Sequence, residues 1–203
     1  MEINEGLVQE ILQIYNKYTD CDKNIEIEFR LGIKFPDKFS SNITKRIYDI
    51  ILNKFEKSYL KGIFKKDLHN TVDYYINSNR LSVNLNTNEC VLCKKNKIFT
   101  RDVNIDGPMD VRVSVSIEDT TEIIACDKTE YITNYQIKRT KERITYVYKE
   151  WNYDLTIITQ EKNKLIETNY EFELEINNIN CLEKQILSTF HKMNDIINLI
   201  GDE

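Results

Sequence analysis

Residues 171–176, EFELEI, place a glutamate at every second position, each followed by a large apolar residue. Because successive side chains of a β-strand point to opposite faces, this segment predicts a strand with all its carboxylates on one face. At about 3.4 Å per residue the carboxylates lie within about 14 Å of strand, where like charges repel one another. Glutamate is also a poor strand former. The acidic face is therefore expected to serve a purpose beyond solubility.

A second segment, residues 139–143 (RTKER), has the opposite charge, with Arg139, Lys141 and Arg143 on one face. A charged face on an antiparallel strand usually contacts water. Separation of acids and bases onto different strands favours another arrangement, in which the two faces look at each other across a cavity. There the acids can hold a divalent cation and the bases can hold phosphate oxygens. Solvation of both faces stays the alternative, and burial of these side chains would decide between them.

The same two-residue alternation recurs along most of the chain. It predicts strands near residues 25–31, 80–85, 111–118, 139–148, 154–157 and 171–176. Apolar residues with helical spacing predict three helices, within residues 7–18, 43–55 and 182–197, the second following a start signal at Ser40 and Ser41. Helix, strands and a final helix together predict an α+β fold built on an antiparallel sheet.

Composition bounds the classes of partner. The formal net charge of −5 argues against capture of a long nucleic-acid backbone, so any contact with RNA is expected at an end or in a pocket. With neither a membrane-span nor a signal-peptide pattern, we expect an intracellular, cytoplasmic protein, in a virus factory or virion if the source is viral, with no membrane partner. His69 and His191 lie outside the charged strands and are predicted to be structural or on the surface.

Four charged motifs occur in order along the chain: Glu26-x-Glu28, Arg139-x-Lys141-x-Arg143, Asp154-Leu-Thr156 and Glu171-x-Glu173-x-Glu175. Together they resemble the triphosphate tunnel metalloenzymes. More narrowly, they resemble the metal-dependent RNA triphosphatases of fungal, protozoan and large-DNA-virus mRNA capping systems. The resemblance spans about residues 25–176. It implies a closed antiparallel eight-stranded β tunnel with a hydrophilic interior and with helices packed outside.

The resemblance also implies roles for individual residues. The implied metal ligands, for Mg²⁺ or Mn²⁺, are Glu26, Glu28 and Glu175. The residues implied to hold metal-bound or attacking water are Glu171 and Glu173, and those implied to orient the basic side chains are Asp154 and Thr156. The implied phosphate-binding residues are Arg112, Arg139, Lys141 and Arg143, with Glu118 as an acidic partner.

The implied reaction is hydrolysis of the γ-phosphate of 5′-triphosphate RNA, the first step of mRNA capping, with nucleoside triphosphates as further substrates. Residues 1–203 are expected to form a single domain, either the N-terminal part of a larger capping enzyme or the partner of a separate guanylyltransferase. Two alternatives stay open. Glu26-x-Glu28-x-Arg30 also resembles the Glu-x-Glu-x-Lys opening of the thiamine-triphosphatase and adenylate-cyclase branch, with arginine in place of lysine, which implies a tripolyphosphatase or thiamine-triphosphatase-like enzyme. A non-catalytic polyphosphate- or nucleotide-binding module would use the same cavity.

Overall fold

The computed structural model describes residues 5–19, 24–77, 79–104, 107–122, 128–177 and 179–201. The helices of this part are α1 (Glu5–Thr19), α2 (Lys45–Leu60), α3 (Lys128–Asn134) and α4 (Leu182–Gly201). Its strands are β1 (Asn24–Lys34), β2 (Phe39–Ser40), β3 (Lys65–Ile76), β4 (Asn79–Asn84), β5 (Cys90–Asn104), β6 (Asp110–Glu122), β7 (Ile137–Tyr148), β8 (Trp151–Lys162) and β9 (Leu165–Ile176).

Eight strands form one closed antiparallel barrel. Their order around the ring is β1-β6-β5-β4-β3-β7-β8-β9, and β9 closes the ring by pairing with β1. At this closure Glu28 stands opposite Glu175, and Arg30 stands opposite Glu173. The short β2 extends the sheet beside the end of β1. The prediction of a closed eight-stranded tunnel is confirmed, with β2 added to it.

The hydrophobic core lies between the barrel wall and the helices, not inside the barrel. The apolar residues of β1 and β9 face outward, and Phe29 and Leu174 are fully buried there. The Phe29 ring meets Phe190 of α4 edge-on, with 5.1 Å between the ring centroids. Burial of apolar surface stabilises the packing of the helices against this outer face. Because side chains alternate along a strand, the charged residues of the same strands point inward.

The helix predicted over residues 43–55 begins later than expected. Ser40 lies in β2, and the N-cap of α2 is Thr44, whose side chain accepts a hydrogen bond from the backbone nitrogen of Ile47 at 3.3 Å. Ile43 was expected on the helix, but it is buried in a single β-bridge with Tyr170. Helix α3 was not predicted because none of its side chains is buried, so it has no apolar stripe to detect.

Gly32 allows β2 to cross close over β1. A Cβ atom built there would lie 2.2 Å from the Ser40 carbonyl oxygen and 2.5 Å from two atoms of the Phe39 ring. We expect Gly32→Ala to lower the free energy of unfolding by about 2–3 kcal/mol in urea titrations, because backbone must move to relieve the overlap.

Gly201→Ala is the matched control for this substitution. Nothing lies within 4 Å of a Cβ built on Gly201, at the end of α4. Its free energy of unfolding is therefore expected to stay within about 0.5 kcal/mol of wild type. A Gly32→Ala variant as stable as this control would show that β2 does not pack closely on β1 in solution.

Candidate active site

The barrel encloses a cavity of about 730 Å³ lined by charged side chains from β1 and from β3 to β9. The predicted site residues that line it are Glu26, Glu28, Glu118, Arg139, Lys141, Arg143, Asp154, Glu171, Glu173 and Glu175. Glu28 and Glu173 are only 2% and 6% exposed. The acidic and basic faces therefore point into one shared interior, and the alternative that both faces contact bulk water is wrong.

Arg143 is held on three sides. Its Nη1 lies 2.8 Å from Asp154 Oδ2, and its Nη2 lies 3.3 Å from Glu173 Oε2. Its Nε donates a hydrogen bond to Thr156 Oγ1 at 3.1 Å. The other Asp154 oxygen accepts a hydrogen bond from Thr145 at 2.6 Å. These contacts fix the guanidinium in one orientation beside the acidic strand.

Two cations that the motifs did not assign to the site cross-link its carboxylates. Lys95 Nζ lies 2.8 Å from both Glu26 carboxylate oxygens and 3.1 Å from Glu28 Oε2. Arg30 bridges Glu28 and Glu173, with its Nη2 2.8 Å from Glu173 Oε1. Burial disfavours the charged form of Glu173, but Arg30 and Arg143 outweigh it and lower the pKa of Glu173. Two of the three predicted metal ligands are thus engaged by a lysine.

Glu175, the third predicted metal ligand, differs from Glu26 and Glu28. It makes no ion pair in the part of the chain that the structure describes, and burial together with nearby Glu26 and Asp154 raises its pKa to about 8. No three acidic, histidine or cysteine side chains among the described residues already converge on one metal position. The donor chemistry nevertheless fits Mg²⁺ or Mn²⁺, because Glu26, Glu28 and Glu175 offer hard carboxylate oxygens and Glu175 forms no direct ion pair with another described residue.

Strands β3, β4 and β5 contribute residues that the sequence did not single out. Asp73 is 1% exposed and lies 2.6 Å from Lys141 Nζ. Arg80 contacts Cys93 Sγ at 3.0 Å and Glu118 at 3.7 Å. Each cation of the interior described so far therefore already has an anionic or polar partner.

Lys97 differs from these cations. It lines the cavity and makes no ion pair with any described residue. Burial, together with the nearby cations Arg30, Arg112 and Lys95, lowers its pKa despite the attraction of Glu28. A cation without an ion pair among the described residues is suited to a polyanionic ligand.

The structure also places His69 and Arg112, two further residues considered in the sequence analysis. His69 stands opposite Arg143 in the β3–β7 register and lines the cavity, and its side chain is exposed, as expected for a residue predicted to be structural or on the surface. Arg112, predicted as a phosphate contact, is not among the residues that line the described cavity. Its guanidinium forms a two-point ion pair with Asp102, at 2.6 and 3.0 Å, and lies 4.5 Å from the centre of the Phe39 ring. That pair would have to open before Arg112 could reach a phosphate.

The sequence of this chain matches a known protein family. The family model described as mRNA capping enzyme, beta chain, matches residues 77–200. The chain belongs to this family of RNA triphosphatases. No curated protein matches the chain in sequence.

Solved structures of capping triphosphatases share the fold of this chain. The Pct1 RNA triphosphatase of S. pombe is 19% identical, with a TM-score of 0.77 over 97% of this chain and 94% of that chain. The RNA triphosphatase domain of a trifunctional mimivirus mRNA capping enzyme is 19% identical, with a TM-score of 0.61 over 96% of this chain and 97% of that chain. Family and fold together make the chain an RNA 5′-triphosphatase of the mRNA capping type.

None of the described helices is long and apolar enough to cross a membrane.

Proposed function

We propose that this chain removes the γ-phosphate from 5′-triphosphate RNA with the help of a divalent cation, and that it also accepts nucleoside triphosphates. The observation that supports this most directly is the meeting of an acidic and a basic wall inside the cavity of one barrel. The acidic strand β9 supplies Glu171, Glu173 and Glu175, and the basic strand β7 supplies Arg139, Lys141 and Arg143.

The basic wall is suited to a chain of phosphates. Arg139, Lys141 and Arg143 occupy successive inward positions of β7, about 7 Å apart along the strand. Arginine makes two-point contacts with phosphate oxygens, and lysine offers a single concentrated charge. We assign these three residues to the triphosphate. Lys97, which lacks an ion pair among the described residues, is a fourth candidate for the same role.

The acidic wall is suited to the cation and to water. Glu26, Glu28 and Glu175 would hold Mg²⁺ or Mn²⁺, and Lys95 would then turn from the two β1 carboxylates toward phosphate. A bound cation neutralises phosphate charge and orients the terminal group. Burial, together with Glu173, raises the pKa of Glu171 despite Arg30, so Glu171 is suited to accept a proton from water. The water oxygen bonds to the γ-phosphorus while the bond to the bridging oxygen breaks, which leaves RNA 5′-diphosphate and phosphate.

The product of the reaction indicates the kind of enzyme that acts next. The product, a 5′-diphosphate RNA end, is the acceptor that a guanylyltransferase needs. We therefore infer that residues 1–203 act as one domain, either joined to a guanylyltransferase or associated with one. The net charge of −5 limits contact with RNA to its 5′ end.

A substrate panel tests the proposal. Triphosphate-ended RNA, ATP and tripolyphosphate are each incubated with the chain in Mg²⁺, in Mn²⁺ and in EDTA, and phosphate release is measured. We expect release from RNA with either metal and at least a hundredfold less in EDTA, because the charge of the terminal phosphate is then left uncompensated.

The other outcomes separate the alternatives. Binding of all three compounds without turnover would favour the non-catalytic module. Turnover of tripolyphosphate with none of RNA would favour the tripolyphosphatase branch. Equal release in EDTA and in metal would contradict the assigned metal role.

A further inference from the structure

One end of the cavity carries an aromatic side chain next to the basic strand. Tyr75 is the last inward-facing residue of β3 before the turn into β4, and it lines the cavity. It stands opposite Ile137, the first residue of β7, and Arg139 is the next inward residue of that strand. Gln160, near the end of β8, pairs with Arg139. Tyr75 and Arg139 therefore lie together at the end of this wall.

The two side chains are already in cation–π contact. The Arg139 guanidinium lies 5.4 Å from the centre of the Tyr75 ring. Its Nε donates a hydrogen bond to Gln160 Oε1 at 2.8 Å, which fixes the guanidinium plane. The Tyr75 backbone oxygen accepts a hydrogen bond from the Gln136 backbone nitrogen at 2.9 Å. Tyr75 is only half-buried, so its ring is accessible from the cavity.

Strand direction places the carboxylates toward the other end. Strands β1 and β8 run the same way, because each pairs antiparallel with β9. The end of β8 that bears Gln160 therefore corresponds to the later part of β1, where Arg30 lies. Glu26, near the start of β1, and Glu175, near the end of β9, lie toward the opposite end.

This polarity orients a bound triphosphate. If the terminal phosphate is hydrolysed beside Glu26, Glu28 and Glu175, the phosphates extend along β7 from Arg143 toward Arg139. The nucleoside that carries them then reaches the end of the wall where Tyr75 lies. Aromatic rings and arginine planes bind nucleobases of any sequence, because every base has a π-face.

We infer that the first nucleobase of the RNA, or the base of a nucleoside triphosphate, stacks on the Tyr75–Arg139 pair. Tyr75 is then a binding residue for the nucleoside, separate from the groups that hold phosphate. The inference rests on the proposed function and adds to it the direction in which the triphosphate lies in the barrel. It also separates nucleoside triphosphate from tripolyphosphate, which has no base to stack.

Two ligands that differ in the base test this inference. The affinities of ATP and of tripolyphosphate are measured by competition titration for wild type, Tyr75→Ala and Tyr75→Phe, so that the result does not depend on turnover. We expect Tyr75→Ala to weaken ATP by between about fivefold and about a hundredfold, while the affinity for tripolyphosphate moves by less than about twofold. Tyr75→Phe keeps the ring and is expected to restore the affinity for ATP.

The control variant is Tyr74→Ala. Tyr74 points to the outer face of the sheet, where its ring lies 5.6 Å from that of Tyr135, so the ratio of the two affinities should not change. Equal weakening of both ligands by Tyr75→Ala would give Tyr75 a structural role only and would overturn the inference. An unchanged ratio would overturn it as well, as would wild-type protein that binds neither ligand. Absence of phosphate release alongside a changed ratio would instead count against the proposed hydrolysis alone.

Discussion

Replacing Arg143 with alanine is expected to reduce phosphate release from triphosphate-ended RNA by about 10²–10³-fold, the usual cost of removing a charge contact to the transition state. The same change leaves Asp154 and Glu173 without the cation between them, and both carboxylates are buried. We therefore also expect a loss of about 3 kcal/mol in the free energy of unfolding. Initial rates are measured in Mg²⁺ and Mn²⁺, and stability is measured by urea titration.

Two further variants separate catalysis from folding. Arg143→Lys keeps the charge but cannot contact Asp154, Glu173 and a phosphate together, so we expect near-wild-type stability with at least a tenfold loss of rate. Arg143→Ala combined with Asp154→Asn removes one buried charge and is expected to recover part of the stability and none of the activity.

Arg101→Ala is the matched surface control. Arg101 forms an exposed ion pair with Glu10, at 3.0 Å, and its loss should cost less than about 0.5 kcal/mol and no activity. Wild-type phosphate release by a folded Arg143→Ala protein would contradict the assignment of the basic strand to the triphosphate.

The sequence predicted the walls of the barrel better than its closure. Strands β1 and β9 alternate clearly because their outer faces lie in the core, where Phe29 and Leu174 are fully buried. Closure depends on the pairing of residues 28–30 with residues 173–175, which are far apart in the chain. No local pattern of either strand encodes that pairing, so closure could be expected only from the family resemblance.

The same physical difference explains which site residues were missed. Lys95 and Lys97 point inward from β5, but Lys94 and Asn96 on the other face are exposed, so both faces are polar and the alternation disappears. Asp73 and His69 lie on β3, where outward residues such as Leu68 are also exposed. Without a helix over its outer face, a strand loses the apolar signal that marks which side chains point inward.

The separation of acidic and basic residues onto different strands predicted the site more reliably than the alternation of single strands. Acidic residues on β9 and basic residues on β7 predicted a shared cavity, and both strands line it. Their partners within the cavity have mixed signs, such as Lys141 with Asp73 and Arg30 with Glu173. Mixed signs on one strand are also typical of a solvated surface, so the sequence alone could not distinguish Asp73 from a surface residue, whereas Arg30 shares a strand face with Glu26 and Glu28.

The second large effect is expected at Glu175, where activity and stability should change in opposite directions. Glu175→Gln removes an assigned metal ligand, and we expect about 10²–10³-fold slower phosphate release in Mg²⁺ or Mn²⁺. The same change removes a carboxyl whose pKa is raised to about 8 by burial and by Glu26 and Asp154. An acid that binds its proton more tightly in the folded state than in the unfolded state destabilises the fold as the pH rises toward that pKa.

The direction of the Glu175 pKa shift can be tested by measuring stability against pH in EDTA. The contribution of Glu175 to the stability of wild type is expected to fall between about pH 4.5 and about pH 8, as the unfolded chain releases this proton before the folded chain does. Glu175→Gln lacks this loss and is expected to be more stable than wild type by at least about 1 kcal/mol at pH 8, with little difference at pH 5. Added Mg²⁺ or Mn²⁺ should stabilise wild type and have less effect on the variant.

Glu167→Gln makes the matched change on the same strand, at an exposed position that lines no part of the described cavity. It is expected to alter neither the rate nor the pH dependence of stability. If Glu175→Gln were less stable than wild type at pH 8 in EDTA, Glu175 would have to be stabilised by a cation even without added metal. If it kept full activity, the metal would have to bind elsewhere in the barrel, and the acidic wall would then serve to balance the charge of the basic strand.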